Sequence, residues 1–218
     1  MSLKKSLSIF IMMALHSEIP GYQLRSYKPG IILRIRKSNV RIISGAARGR
    51  KLKVPSGFDI RPTTDMIKES VFNIIQFDIE GRRVLDLFAG TGQLGIEALS
   101  RGARSCVFVD SSPAATRLVK ENLELCGLSD AASVYTRDAI KYLEGKDRFD
   151  LIFLDPPYDV PVVNRAIAKI IEFDKLNING IIVCEMRADT ASPEASPPYG
   201  LHKEYLYGTV KIARYGRA

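Results

Sequence analysis

From residue 83 onward the chain alternates between short apolar runs and amphipathic stretches. Residues 84–88, 105–110, 132–136, 150–154 and 180–185 read as strands, and 92–100, 114–126, 139–144 and 162–173 as helices, the second of these closed by Gly127. Such regular alternation predicts a doubly wound, mostly parallel α/β sheet of the Rossmann-like kind. Two late strands, 202–207 and 209–215, are joined tightly at Gly208, so one of them runs antiparallel. A chain of 218 residues suffices for one well-buried domain with a small appendage.

The appendage is predicted at residues 40–80. Residues 40–43 and 51–54 flank Ser44-Gly45-Ala46-Ala47-Arg48-Gly49-Arg50, the pattern of a small β-hairpin with a basic loop. Thr64 can cap a helix to about Gln76, striped by Ile67, Val71, Phe72, Ile74 and Ile75. Residues 81–218 form the main domain.

Residues 1–39 stand apart. They hold Lys4, Lys5, Arg25, Lys28, Arg34, Arg36 and Lys37 against Glu18 alone, so +6 of the net charge of +8 lies there and +2 in the remainder. A basic start and the apolar run 7–15 have the order of a signal peptide, yet Ala14-Leu15-His16-Ser17 lacks a small-x-small cleavage pattern. A basic, acid-poor leader equally resembles an organelle transit peptide, and a true start near Val40 is the third reading. On each of them residues 1–39 are a leader outside the fold.

The body is only mildly basic, so total charge does not by itself imply nucleic-acid binding. The local cluster Arg48, Arg50, Lys51 and Lys53 is its one strong basic patch, read either as a phosphate grip or as an ordinary solvated hairpin. Cys106, Cys126 and Cys184 have no CxxC spacing and no nearby histidine, which predicts no metal site and buried thiols in a reducing cytosol. No apolar run reaches the roughly 20 residues of a membrane span.

Open α/β sheets bind ligands beyond the carboxyl ends of their strands, and four strand ends here carry notable residues. After the first comes Gly90-x-Gly92-x-x-Gly95, which allows a tight turn, a close backbone approach and close helix packing. Alone it would suit a dinucleotide equally well. Asp86 just before it would repel pyrophosphate and attract the ammonium of a methionine moiety. Asp110, after the second strand, can accept both hydroxyls of an adenosine ribose, or else cap the next helix. Asp138, followed by Ala139, can accept from the exocyclic amine of adenine, serve as a helix N-cap, or do both.

The fourth end is Asp155-Pro156-Pro157-Tyr158. Two prolines stiffen the backbone and remove two N–H donors, leaving the Asp155 carboxylate and the Pro156 carbonyl as acceptors suited to an –NH₂ group. Tyr158 offers an aromatic face to an extruded base, an interaction worth roughly 1–3 kcal/mol. Two acceptors pulling on its hydrogens make a base's amino nitrogen pyramidal, and its lone pair is then free to take a methyl group from a sulfonium.

These residues resemble the class I amino-methyltransferases, whose signature is Asp, Asn or Ser, then Pro-Pro, then Tyr or Phe. A closer resemblance, to the RsmD family, rests on Arg41-Ile42-Ile43-Ser44-Gly45, Arg48-Gly49-Arg50-Lys51-Leu52, Arg61-Pro62-Thr63-Thr64-Asp65 and Lys68-Glu69-x-x-Phe72-Asn73. It continues through Asp86-x-Phe88-Ala89-Gly90-Thr91-Gly92-x-Leu94-Gly95-x-Glu97-Ala98 and covers residues 41 to about 215. The family often has Arg where Lys68 stands, which keeps the charge but not bidentate geometry. The resemblance implies methylation of guanine N2 in 16S ribosomal RNA by a bacterial, cytoplasmic enzyme. It further implies that Asp86, Phe88, Gly90, Thr91, Gly92, Gly95, Asp110, Asp138 and Ala139 bind S-adenosylmethionine. Asp155, Pro156 and Tyr158 would then hold the guanine, and Arg48, Arg50, Lys51, Lys53 and Arg61 the phosphates of 16S RNA or of a 30S particle. A monomer is expected. Rival readings are an adenine-N6 or glutamine methyltransferase, a nicotinamide-dependent oxidoreductase using the Gly90 loop, and a non-catalytic RNA-binding module.

Overall fold

The runs Val84-Leu85, Cys106-Val107-Phe108-Val109 and Leu151-Ile152-Phe153-Leu154 have no polar face, so their strands need cover on both sides. A computed structural model shows how they obtain it. It describes residues 36–55, 62–156 and 160–217, which fall within one compact unit.

Strands β1 (Arg36–Arg41) and β2 (Lys51–Val54) form an antiparallel hairpin, and helix α1 (Pro62–Ile74) follows. Next come β3 (Arg83–Asp86), α2 (Gln93–Ser100), β4 (Ser105–Asp110), α3 (Pro113–Cys126) and β5 (Ala132–Thr136). Helix α4 (Ala139–Leu143), β6 (Phe149–Leu154), α5 (Val160–Glu172), β7 (Leu176–Arg187), β8 (Tyr199–Tyr207) and β9 (Val210–Arg217) complete the fold. The large sheet has the order β5-β4-β3-β6-β7-β9-β8. Neighbours from β5 through β7 pair in parallel, and β9 runs antiparallel to both β7 and β8. The expected mostly parallel sheet with a late antiparallel strand is what forms.

Side chains along each strand alternate between two cores. Val84, Cys106, Phe108, Leu151, Phe153 and Val183 meet the hairpin, α1, α2 and α3 through Ile42, Leu52, Phe72, Ile96 and Val119. Leu85, Val107, Val109, Ile152, Leu154 and Cys184 face the other way, against Ile140 and Leu143 of α4 and Ala166, Ile167 and Ile170 of α5. From β3 the chain steps outward to β4 and β5, then returns to β6 on the far side of β3. That reversal opens a crevice at the carboxyl ends of β3 and β6.

Several element bounds differ from the expectation. Strand β1 begins at Arg36, four residues before Val40, because the ladder carries Arg36 opposite Val54 and Lys37 opposite Lys53. Residues 36–39, assigned above to the leader, are thus in the hairpin, whereas residues 1–35 lie outside the described residues. Helix α1 starts at Pro62, at the position where a missing N–H does no harm. Strand β7 starts at Leu176 rather than at 180. Asn179-Gly180 lies inside the strand, absorbed as an irregularity between the pairs Phe149–Leu176 and Leu151–Ile181, with Asn179 at φ 61.

Candidate active site

The end of β3 is tied directly to the helix that follows. Asp86 is 2 % exposed, and its Oδ2 accepts the Gly95 N–H at 3.0 Å, across the intervening loop. Helix α2 can come this close because Gly95 lacks a side chain: a Cβ there would stand 2.3 Å from Phe108 and 2.7 Å from Cys106 Sγ. Gly90 and Gly92 take left-handed conformations, and the Gly92 N–H closes the turn on the Ala89 carbonyl at 2.6 Å. Phe88 is half-buried against the second core, and Thr91 is buried.

Asp110 serves the protein with both oxygens. Oδ2 accepts the Gly90 N–H at 2.9 Å and Oδ1 the Ser112 N–H at 2.8 Å. It therefore fixes the glycine loop and the start of α3, where Ser112 is the N-cap. Each oxygen keeps a lone pair for a hydroxyl donor. Asp138 caps α4, its Oδ1 accepting the Lys141 N–H at 2.9 Å, and Ala139 beside it is buried. Of the two capping roles weighed above, Asp138 fills its own, whereas Ser112 rather than Asp110 caps α3; both carboxylates retain acceptor capacity.

Asp155 follows β6 immediately and Pro156 is buried; Tyr158 lies outside the described residues. The β6–β7 register places Leu154 beside Cys184, so one residue further Asp155 and Glu185 sit together on the sheet edge. Asp86, Asp155 and Glu185 thus stand on three adjacent strands, Glu185 two residues before β7 ends at Arg187. Burial raises the Asp86 pKa to about 7 despite the opposing Gly95 hydrogen bond, and Asp155 and Asp110 push it further up. Burial also raises Asp155, and burial and then the Asp155 charge raise Glu185. Among the described residues no cation forms an ion pair with any of the three. The crevice is therefore an acceptor-rich pocket whose charge favours a cation or N–H donors.

The basic hairpin is held elsewhere on the same framework. Glu97 of α2 is fully buried and accepts the N–H groups of Ile43 and Ser44 at 2.7 and 2.9 Å, while Arg101 Nε donates to it at 2.8 Å. Ser100 Oγ donates to the Ser44 carbonyl and accepts from the Ala47 N–H, and the Ser100 carbonyl accepts from the Ala46 N–H. Gly45 lies so close that a Cβ would stand 1.7 Å from the Ser100 oxygen. Arg48, Arg50 and Lys51 are exposed. Lys53 is half-exposed and paired with Glu121 at 2.7 Å, so its charge is partly answered within the protein. Arg61 lies outside the described residues.

The site residues thus form two groups. Asp86, the glycine loop, Asp110, Asp138 and Asp155 share the carboxyl edge of the sheet. The tip of the basic loop instead meets the far end of α2, about 12 Å along that helix from the glycine loop at 1.5 Å per residue.

The family described as Conserved hypothetical protein 95 matches residues 40–216. Ribosomal RNA small subunit methyltransferase D of Haemophilus influenzae is 36% identical over 184 residues, covering 82% of this chain and 94% of the relative. The enzyme of the same name from Escherichia coli is 32% identical over 179 residues, covering 82% and 90%. The chain belongs to the RsmD family. YlbH of Bacillus subtilis is 42% identical over 180 residues, covering 81% of this chain and 98% of that one. The solved structure of yhhF from Escherichia coli superposes with a TM-score of 0.74 at 30% identity, covering 82% and 97%. HI0767 of Haemophilus influenzae gives 0.68 at 34%, covering 82% and 98%. The architecture is that of the class I methyltransferases.

In this RsmD-family chain two residues, Asn122 and Glu185, escaped the sequence reading, and a third, Glu97, entered it only within the quoted motif and without a role. Glu97 and Asn122 are fully buried polar groups whose backbone partners lie far away in the sequence. Glu185 ends an apolar run and shows no motif. Only the strand pairing that sets it beside Asp155 marks it. Lys68, where the family often has Arg, is 2 % exposed, and its Nζ donates to the Arg41 carbonyl at 2.6 Å, so it fastens α1 to the hairpin.

Proposed function

We propose that this enzyme transfers a methyl group from S-adenosylmethionine to the exocyclic N2 amino group of a guanine in 16S ribosomal RNA. The methyltransferase class and its cofactor come with the family; the base and the atom rest on the site. The carrying observation is the set of carboxylates at the switch point, Asp86, Asp155 and Glu185, none ion-paired by a described side chain. Three acids suit a ligand with an ammonium and a sulfonium and repel the pyrophosphate of a dinucleotide. The adenosine half fits the acceptors that remain on Asp110 and Asp138.

When bound, the cofactor supplies a methyl carbon made electrophilic by its positive sulfur. The protein does the rest. Asp86 holds the ammonium through the oxygen that Gly95 leaves open. The Asp155 carboxylate and the Pro156 carbonyl accept hydrogen bonds from the two N–H groups of the guanine amine, and Tyr158 stacks on the base. This turns the nitrogen lone pair toward the methyl group. Burial makes Asp155 a stronger base than an ordinary carboxylate, suited to the proton the nitrogen sheds. Residues 40–80 act as the RNA-contacting part, with Arg48, Arg50, Lys51, Lys53 and Arg61 on phosphates, and residues 81–218 as the catalytic domain. The tip of the basic loop lies about 12 Å along α2 from the glycine loop, which favours a structured RNA or a 30S particle spanning both over a free nucleotide. The enzyme works as a monomer in the cytoplasm, where ribosomal subunits assemble; no helix among the described residues is long and apolar enough to cross a membrane.

The test is transfer of labelled methyl to 30S particles from cells lacking this gene, followed by nucleoside analysis. Label in N2-methylguanosine is expected. Label in N6-methyladenosine would overturn the choice of base, and no label in any acceptor would overturn the reading.

A further inference from the structure

The cofactor loop and the basic hairpin meet at one side chain. Asn122, on α3, is fully buried. Its Oδ1 accepts the Lys53 N–H at 2.7 Å, and its Nδ2 donates to the Lys53 carbonyl at 3.0 Å and to the Thr91 carbonyl at 2.9 Å. A buried amide is tolerated only when it is bonded, and this one has three partners, all of them backbone groups. Toward Lys53 it behaves as a strand neighbour, satisfying both the donor and the acceptor that β2 presents on the side away from β1. Toward Thr91 it anchors the peptide between Gly90 and Gly92, the most pliable part of the loop.

We infer that Asn122 is a positioning residue that locks the cofactor loop and the RNA-gripping hairpin into one register. It touches neither ligand, and it acts on both through backbone it holds. The neighbouring residue Glu121 reinforces the link by pairing with Lys53 Nζ. Without the amide, two backbone groups of Lys53 and the Thr91 carbonyl lose their partner together. The glycine loop then gains freedom just where S-adenosylmethionine must be held, and the hairpin loses its tie to the catalytic domain. The inference rests on the function proposed above for its RNA half; the cofactor half rests on the loop alone.

Asn122→Ala is compared with Leu123→Ala, a neighbouring substitution in the apolar core that removes no polar bridge. Thermal unfolding of both establishes how far each is destabilised. S-adenosylhomocysteine affinity by calorimetry, KM for S-adenosylmethionine and kcat on 30S particles, and affinity for the same particles are then measured. In Asn122→Ala both affinities are expected to weaken by about tenfold, the loss of one or two net hydrogen bonds, while Leu123→Ala stays near wild type in both. Equal changes in the two variants, or no change in Asn122→Ala, overturn the inference. Should the alanine variant not fold, Asn122→Ser, whose short hydroxyl cannot reach three partners, takes its place under the same criteria. Wild-type protein that binds S-adenosylhomocysteine but methylates no RNA would sink the proposed function while leaving the loop half of this test intact.

Discussion

Asp86 and Gly95 are joined by a 3.0 Å hydrogen bond that spans the whole glycine loop. The carboxylate that ends β3 thereby sets the first turn of α2, and its other oxygen stays open to a ligand. Asp86→Asn should weaken S-adenosylhomocysteine binding by roughly ten- to a hundredfold, the scale of a lost charge-assisted hydrogen bond. Calorimetry checks this, and an unchanged affinity would remove Asp86 from the cofactor site.

The same residue makes two pH dependences. Its pKa is raised from 3.8 to about 7 in the folded protein, so the native state binds more protons than the unfolded one in between. The contribution of Asp86 to the stability of the ligand-free protein should therefore fall as pH rises from about 4 to about 7, and Asp86→Asn should remove that component of the slope. Glu185, raised for the same reason, adds to the fall. Denaturant titrations of the wild type and of Asp86→Asn across this range provide the measurement; the same pH slope in both would contradict the raised pKa of Asp86. Affinity for S-adenosylhomocysteine should run the opposite way, strengthening through pH 7 as Asp86 ionises to meet the ammonium.

Asp155→Ala should abolish methyl transfer, by a factor of at least about a hundred in kcat, and leave cofactor affinity largely intact. Asp155 lies after β6, outside the glycine loop. Labelled-methyl assays beside calorimetry separate the two effects, and a fully active variant would sink the proposed base pocket.

Neutralising Arg48 and Arg50 together should weaken RNA binding and lower its salt slope by about one per lost phosphate contact. Lys53→Ala should change the slope less, because Glu121 already pairs with it. Filter binding across a salt series reads both; an unchanged slope in the double variant takes the loop off the RNA.

Gly45→Ala places a methyl 1.7 Å from the Ser100 carbonyl oxygen at a φ of +83. The loop must move, at a cost of about 1–3 kcal/mol. Hydrogen exchange at residues 42–50 should accelerate and RNA affinity should drop, with S-adenosylhomocysteine binding unaffected. Unaltered exchange would mean that the loop does not depend on this close approach.

Much of this was legible in the chain because its signals are local. The alternation of apolar runs and amphipathic stretches dictates a parallel sheet, since strands with two apolar faces need helices on both. The spacing of Gly90, Gly92 and Gly95 after Asp86, and the Asp155-Pro156-Pro157-Tyr158 segment, carry their chemistry within a few residues. Element ends were less legible: Asn179-Gly180 has the chemistry of a turn, and only pairing of Leu176 with Phe149 draws it into β7.

The sequence by itself therefore determined the sheet, its carboxyl edge and the acids Asp86, Asp110, Asp138 and Asp155 along it. Tertiary structure alone decided that Glu97 clasps the hairpin backbone, that Asn122 joins β2 to the cofactor loop, that Glu121 answers Lys53, and that Glu185 stands beside Asp155. These contacts join residues about 30 to 69 positions apart. A buried carboxylate or amide has no periodicity of its own to announce it; its role exists only once the backbone groups it satisfies have been carried to it by the packing of the two cores.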